Sequence, residues 1–196
     1  MKTHWLKIDS DPKTSPKSDV TDIELILRTA RGDEHAFESL YSLYYGRLYR
    51  FVFRIKRGNL DDIEEIINDA MFVVWGKAET YNQRCRPSTW IFGIAYNKAR
   101  KYFKLPTETI SWDDGITNEY TIPVDNDLWL EKLEMQNWLE AAFETLSPEQ
   151  RAVIELSYFH GMRYDEIARI MDCPPNTVKT RMFHARKKLG AELKNR

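Results

Sequence analysis

A chain of 196 residues with 29 Lys and Arg against 30 Asp and Glu, and 42% hydrophobic residues, is long enough for one large or two small packed domains. Only eight Gly and eight Pro, with long stretches of Leu, Ile, Glu, Lys, Arg and Ala, predict an all-α fold. Two distant cysteines, Cys85 and Cys173, exclude a disulfide framework and fit a reducing cytosol; the histidines stand at no zinc-finger spacing with them, and no apolar run reaches the roughly 18 to 20 residues that span a bilayer.

In chain order, residues 1–19 ("MKTHWLKIDSDPKTSPKSD") hold no apolar core of a secretory signal and read as a flexible arm. Order is predicted to begin near Val20, with a short amphipathic helix ending at Gly32. Asp33 is placed to cap a longer helix in which Phe37, Leu40, Tyr41, Tyr44, Leu48, Phe51 and Ile55 form one apolar face. Gly58-Asn59 breaks it. The next helix starts at Leu60, its acids gathered toward the N-terminal end, where the helix dipole favours them, and Trp75 reads as a core residue. A loop, "NQRCRP", leads into a helix that is apolar early and basic late.

Composition then changes. Residues 105–127 hold no Lys or Arg, and Glu108, Asp113, Asp114, Glu119, Asp125 and Asp127 lie among Gly, Thr and Pro without hydrophobic periodicity. This segment is predicted to be an acidic flexible linker. A second helical block, 128–196, opens with Leu128, Met135, Trp138, Leu139, Ala142, Phe143 and Leu146 on a stripe. Ser147, Pro148 and Gln150 have the spacing of a capping box with proline in the first turn, and Gly161 ends the helix.

The last stretch, "RYDEIARIMDCPPNTVKTRMFHARKKLG", predicts two helices split at "DCPP". In the second, Val178, Met182, Ala185 and Leu189 recur as a buried face, leaving a strongly basic outer face. That is the arrangement of a helix-turn-helix, whose second helix enters the DNA major groove while Lys and Arg neutralise phosphates.

These residues resemble the C-terminal promoter-binding domain of extracytoplasmic-function (ECF) sigma factors of the sigma-70 family. The resemblance rests on Leu146, Pro148, Gln150-Arg151, Glu166-Ile167-Ala168, Thr177-Val178-Lys179, Arg181, Ala185-Arg186 and Leu189. Asn176 stands where such families often have Gly, and a left-handed or capping conformation is expected there. The first block resembles sigma domain 2 through Ala36-Phe37, Leu40-Tyr41, Tyr44, Leu48, Glu64-Glu65, Asn68-Asp69, Trp75, Trp90-Ile91, Ile94-Ala95 and Asn97. A response regulator, which can carry a related helix-turn-helix, would begin instead with alternating strands and helices.

The resemblance implies an all-α protein of two helical domains: domain 2 over residues 20–104 and domain 4 over residues 128–196. It implies binding to the β′ clamp helices of core RNA polymerase through Asp61, Asp62, Glu64, Glu65, Asn68, Asp69 and Phe72, with the β flap as a further polymerase contact. It implies recognition and melting of the promoter −10 element by Tyr81, Asn82, Gln83, Arg84, Arg86, Trp90, Asn97, Lys98 and Lys101. That set interleaves cations, amides and aromatics as single-stranded DNA binding requires. Recognition of the −35 element falls to Arg163, Asn176, Thr177, Lys179, Thr180, Arg181, His184, Arg186 and Lys187. An anti-sigma factor is a further expected partner. The protein is expected to be cytoplasmic, without stable membrane association, cofactor or metal, and to be no enzyme, since it holds no P-loop or nucleophile elbow. The alternatives are a stand-alone helix-turn-helix regulator of duplex DNA, which leaves the aromatic-basic loop unexplained, and a sigma-like adaptor that does not read DNA.

Overall fold

The computed structural model of the chain describes residues 16–56, 60–104 and 141–194, and the described residues are helical with no strand. Residues 105–127 and the stripe from Leu128 to Leu139 lie outside them, so the expected linker and most of that stripe are not further described.

Helix α1 spans Pro16–Thr29, with Asp19 in its first turn. It begins ahead of the predicted Val20, and the end of the expected arm is therefore helical. The chain leaves α1 through Gly32, whose φ of 84° suits a residue without Cβ. Asp33 then caps α2 (Glu34–Lys56) as the sequence predicted: its Oδ1 accepts the Ala36 N–H at 3.0 Å. The same side chain pairs with Arg28 at 2.7 Å, tying the α1 end to the α2 start.

Helix α3 spans Leu60–Lys77 and packs Ile63, Ile66, Ile67, Ala70, Met71 and Val74 inward. A single 3₁₀ turn, Ala78–Thr80, leads to the loop before α4 (Pro87–Lys104). Helices α1 to α4 close around Ile26, Leu40, Tyr44, Leu48, Phe51, Ile67 and Phe92, all fully buried.

Tyr44 sits in this core and donates its hydroxyl to Asp22 Oδ2 at 2.6 Å. Burial raises the Asp22 carboxyl above its ordinary 3.8, with the Tyr44 hydrogen bond and then Arg47 opposing the rise. The folded chain thus binds this proton more tightly than the unfolded chain. The stabilising contribution is complete below pH 3.8 and is lost as pH rises through the folded value. Asp22→Asn keeps an acceptor for Tyr44 without the buried charge. The variant is expected to be more stable than the natural chain at pH 7, with the advantage gone below pH 3.8, as read from urea midpoints at the two pH values.

The second half starts with helical residues 141–144 and then α5 (Pro148–Ile154). The capping box is formed as predicted: Ser147 Oγ accepts the Gln150 N–H and the Ser147 N–H donates to Gln150 Oε1 at 3.1 Å. The helix does not run on to Gly161 as a plain α-helix. Glu155–Phe159 is a wider π-helical turn, with the His160 N–H reaching back to the Glu155 carbonyl at 3.2 Å. Gly161 turns the chain at φ 61°.

Helix α6 (Tyr164–Ile170) and α7 (Pro175–Lys194) form the helix-turn-helix. The left-handed residue of the turn is Asp172, φ 48°, and not Asn176, which is already helical. Pro175 holds the first position of α7, where its missing N–H costs nothing.

The two halves share one contiguous apolar core. The Phe51 ring on α2 stands edge-on to Phe92 on α4 and to His160 of the second half, at centroid distances of 5.1 and 6.3 Å.

Candidate nucleic-acid and polymerase interfaces

Helix α3 presents its acids along two flanks. On the α2 side, Tyr41 and Tyr45 donate hydroxyls to Asn68 Oδ1 at 2.8 Å and Glu64 Oε1 at 3.4 Å. On the α4 side, Tyr102 donates to Glu65 at 2.9 Å and Asp62 at 3.4 Å, and Lys98 Nζ donates to Asp69 at 2.8 Å. The hydrogen bond to Glu65, ahead of burial and the nearby Asp62, pushes the Tyr102 hydroxyl up to about 12, so it stays a donor at neutral pH. Asp61, Glu64, Glu65, Asn68 and Asp69 remain exposed despite these partners.

Phe72 on the same helix is 75% exposed. It borders an open groove of about 420 Å³ between α2 and α3 whose apolar wall is Phe37, Tyr41, Met71, Phe72 and Trp75, with Glu34, Glu38 and Asn68 completing the lining. Trp75 is therefore only half-buried: it stands edge-on to Phe37 at 5.1 Å and forms groove wall, a correction to its reading as a core residue. Phe37, Met71 and Trp75 were not among the predicted site residues. Met71 and Trp75 signalled themselves as apolar side chains along the acidic α3, and Phe37 as part of the apolar face of α2, and both patterns also read as plain core.

The loop between the 3₁₀ turn and α4 is braced from within. Asn82 Oδ1 accepts the Arg84 N–H at 3.1 Å, and Gln83 takes φ 58°, a left-handed conformation seldom seen outside glycine. Tyr81 was predicted to contact DNA, yet it is 6% exposed. Its hydroxyl donates to the Cys85 carbonyl at 2.7 Å and its ring packs beside Trp90 at 5.2 Å. Burial raises its pKa, so the hydroxyl remains a donor that closes the loop. Tyr81 is a strut in this conformation, not a stacking platform.

Asn82, Gln83 and Arg84 are exposed and Trp90 is half-buried. Arg86 is turned inward: its Nε donates to Asp19 at 2.8 Å and its Nη1 lies 3.8 Å from Glu166 Oε1. Lys98 is engaged by Asp69, whereas Asn97 and Lys101 point into solvent. Ile91 is buried and Ile94 half-buried, as expected of the inner face of α4. Burial raises the Cys85 thiol above its ordinary range, which lowers the thiolate fraction and argues against a reactive cysteine.

Helix α7 buries Val178, Met182 and Ala185, as the periodicity predicted, while Leu189 of the same predicted face is only half-buried near the helix end. Asn176, Lys179, Thr180, His184, Arg186 and Lys187 are exposed, and Thr177 and Arg181 are half-buried. Arg181 reaches back to Cys173 Sγ at 3.6 Å, and Arg186 lies over the Tyr158 ring at 5.5 Å. Arg163, ahead of α6, is exposed and pairs with Asp165 at 3.5 Å. Phe183, exposed on the outer face beside His184, was left out of the predicted set because an aromatic at that spacing carries no charge signal. Among the described residues no cluster of three His, Cys, Asp or Glu could hold a metal, and no helix is long and apolar enough to cross a membrane.

Comparison with known proteins joins these surfaces. The family model "Sigma-70 region 2" matches residues 40–105, and "Sigma-70, region 4" matches residues 136–189. The chain is 28% identical over 188 residues to an ECF RNA polymerase sigma-E factor of Haemophilus influenzae, covering 89% of this chain and 96% of that one. It is 27% identical over 180 residues to the ECF RNA polymerase sigma factor SigW of Bacillus subtilis, covering 87% and 95%. Among solved structures, CnrH in complex with the cytosolic domain of CnrY superposes with a TM-score of 0.65 at 20% identity, over 89% of this chain and 98% of that one. The sigma factor RpoE in complex with the anti-sigma factor NepR from Bartonella quintana superposes with a TM-score of 0.61 at 24% identity, over 81% and 96%. Those likenesses show the fold. With regions 2 and 4 matched in order on an all-helical chain, the protein belongs to the sigma-70 family as an ECF RNA polymerase sigma factor, a factor of transcription initiation.

Proposed function

We propose that the chain divides its work among three surfaces. The α3 ridge of Asp61, Asp62, Glu64, Glu65, Asn68, Asp69 and Phe72, with the groove beside it, grips the β′ clamp helices of core RNA polymerase. A mixed acidic and apolar face suits a basic partner helix pair. The loop at Asn82–Arg84 and the exposed edge of α4, with Trp90, Asn97 and Lys101, receive the opened −10 strand. There cations meet phosphate, and amides meet the edges of unstacked bases. Helix α7 enters the major groove at the −35 element, with Lys179, His184 and Lys187 near phosphate and Asn176 and Thr180 toward base edges. Phe183 has the apolar surface to meet a thymine methyl there.

In this reading residues 20–104 are domain 2, residues 105–127 the linker and residues 128–196 domain 4. The β flap is a second polymerase contact, an anti-sigma factor a regulatory partner, and the cytoplasm the site of action. The polymerase supplies the bond-making chemistry and this chain none. The observation that carries the reading is the exposed basic face of α7 in the same chain as the acidic, Phe72-bearing face of α3.

Run-off transcription with core polymerase over a promoter library tests it. New start sites that need this protein, and fade with Arg181→Ala or Asn97→Ala, are the expected result. Duplex binding without polymerase-dependent starts would overturn it in favour of a stand-alone regulator. Lys179→Ala is further expected to weaken domain 4 binding alike across sequences and to flatten the slope of log affinity against log salt by about one, in a salt titration of −35 duplex binding.

A further inference from the structure

The cations of the second half differ in what they lean on. Arg163 pairs with Asp165 at 3.5 Å, Arg181 reaches Cys173 Sγ at 3.6 Å, and Lys188 Nζ donates to the Thr145 carbonyl at 2.8 Å. Arg186 has an aromatic neighbour instead. Its guanidinium lies over the Tyr158 ring at 5.5 Å, inside the roughly 6 Å reach of a cation–π contact.

Tyr158 comes from outside the helix-turn-helix, in the wide turn Glu155–Phe159. Its neighbours there turn inward. Glu155 and Leu156 are buried, and the Phe159 ring lies under Arg54 of α2 at 4.0 Å. Tyr158 is 51% exposed and takes its arginine from the opposite direction. A single exposed aromatic is ordinary on any surface. What sets this one apart is the cation above it and the side of α7 from which that cation comes.

Lys179, Phe183 and Arg186 follow one another at spacings of four and three residues, which places them on one flank of α7. Phe183 on that flank is exposed, and Lys179 is assigned above to phosphate. Arg186 stands about 10 Å farther along the axis than Lys179. A recognition helix reads base edges with its N-terminal residues, so at Arg186 the flank faces the sugar-phosphate wall of the groove. A guanidinium suits phosphate because its fork of donors matches two oxygens at once. A long side chain loses rotamer freedom when it is fixed there. A ring beneath the cation confines it beforehand and leaves its N–H donors for the anion.

We infer that Tyr158 is a positioning residue for DNA binding: its ring holds the Arg186 guanidinium on the flank of α7, where it clamps a backbone phosphate of the −35 duplex. The inference rests on the −35 reading of α7. The contact adds affinity and orientation without base preference. The DNA-binding unit thus begins in the wide turn and not at Arg163.

The test is anisotropy of a short fluorescent duplex of fixed mixed sequence, titrated with the full chain over a range of KCl. A phosphate contact needs no promoter sequence. Tyr158→Ala is expected to weaken binding about fourfold at low salt, the scale of an exposed cation–π contact, and Tyr158→Phe to stay within about 1.5-fold of the natural chain. Tyr158→Leu keeps bulk without a π face and is expected to match Tyr158→Ala, which separates the ring from its packing. Arg186→Ala is expected to flatten the slope of log affinity against log salt by about one. In the Arg186→Ala background, Tyr158→Ala is expected to add nothing.

Full affinity in Tyr158→Ala, or an equal loss with and without Arg186, would overturn the proposal. So would a loss of binding to immobilised core polymerase with duplex binding unchanged, which would assign Tyr158 to a protein contact. Absence of polymerase-dependent start sites in the run-off assay would count against the sigma reading alone. The duplex titration needs no polymerase and still judges the pair.

Discussion

Phe72→Ala is expected to weaken binding to core RNA polymerase by about thirtyfold or more, which corresponds to the loss of about 2 kcal/mol at an interface hot spot. Phe72 is 75% exposed, beside a groove walled by Phe37, Met71 and Trp75. A large ring held in water contributes little to folding, and removing it leaves the unfolding free energy within about 0.5 kcal/mol of the natural value. Burial against a partner is where its surface counts. The flanking acids steer a basic partner and the ring anchors it, so the loss falls mainly on the dissociation rate. Surface-immobilised polymerase reads the affinity and a urea melt supplies the control. Unchanged affinity with an unchanged melt would remove the α3 ridge from the polymerase contact.

The largest expected effect on stability is at Phe51. Its side chain is fully buried where α2 meets α4 and the second half, edge-on to Phe92 and His160. Phe51→Ala is expected to cost about 3–5 kcal/mol, the sum of lost transfer energy and the cavity left between rigid helices. With a urea slope of about 2 kcal/mol per molar, the midpoint falls by about 1.5–2.5 M. Because the core runs through both halves, helix content and tryptophan fluorescence of the natural chain are expected to melt together. Two separate transitions in which Phe51→Ala shifts only one would show that the halves unfold independently.

Features governed by neighbours in sequence were legible in the sequence. The Ser147–Gln150 capping box, the Asp33 cap, the buried face of α7 and the all-helical class each follow from spacing within a few turns. The acidic character of α3 was legible too, but its partition between tyrosines of α2 on one flank and Lys98 and Tyr102 of α4 on the other was not. That division depends on which helices become neighbours.

The same limit explains the misplaced residues. Tyr81 has the composition of a base-stacking aromatic, and only the fold turns it inward toward the Cys85 carbonyl. Glu166 fits its local cap and gives no sign of the Thr89 and Arg86 side chains that it also meets, far away in the chain. Asp172, a short polar residue that tolerates it, takes the left-handed conformation four residues before Asn176, for which a left-handed or capping conformation was expected and which is already helical. A π-helical turn has no composition of its own, so "ELSYF" reads as ordinary helix.

That wide turn sets the angular phase of everything after it. A π-helical turn accommodates one residue more than an α-helical turn of the same rise, so Glu155–Phe159 behaves as a one-residue insertion absorbed in place. Each residue of an α-helix advances the azimuth by about 100°. Deleting Ser157, half-exposed within the turn, would restore α-helical winding and leave His160 and the chain beyond it at nearly the same azimuth about the α5 axis. Without the widening, the same extra residue would turn them by about 100°, and the helix-turn-helix would present another side to α4. The wide turn thus keeps the heading of the recognition helix over a segment that carries one residue more than plain α-helical winding would hold.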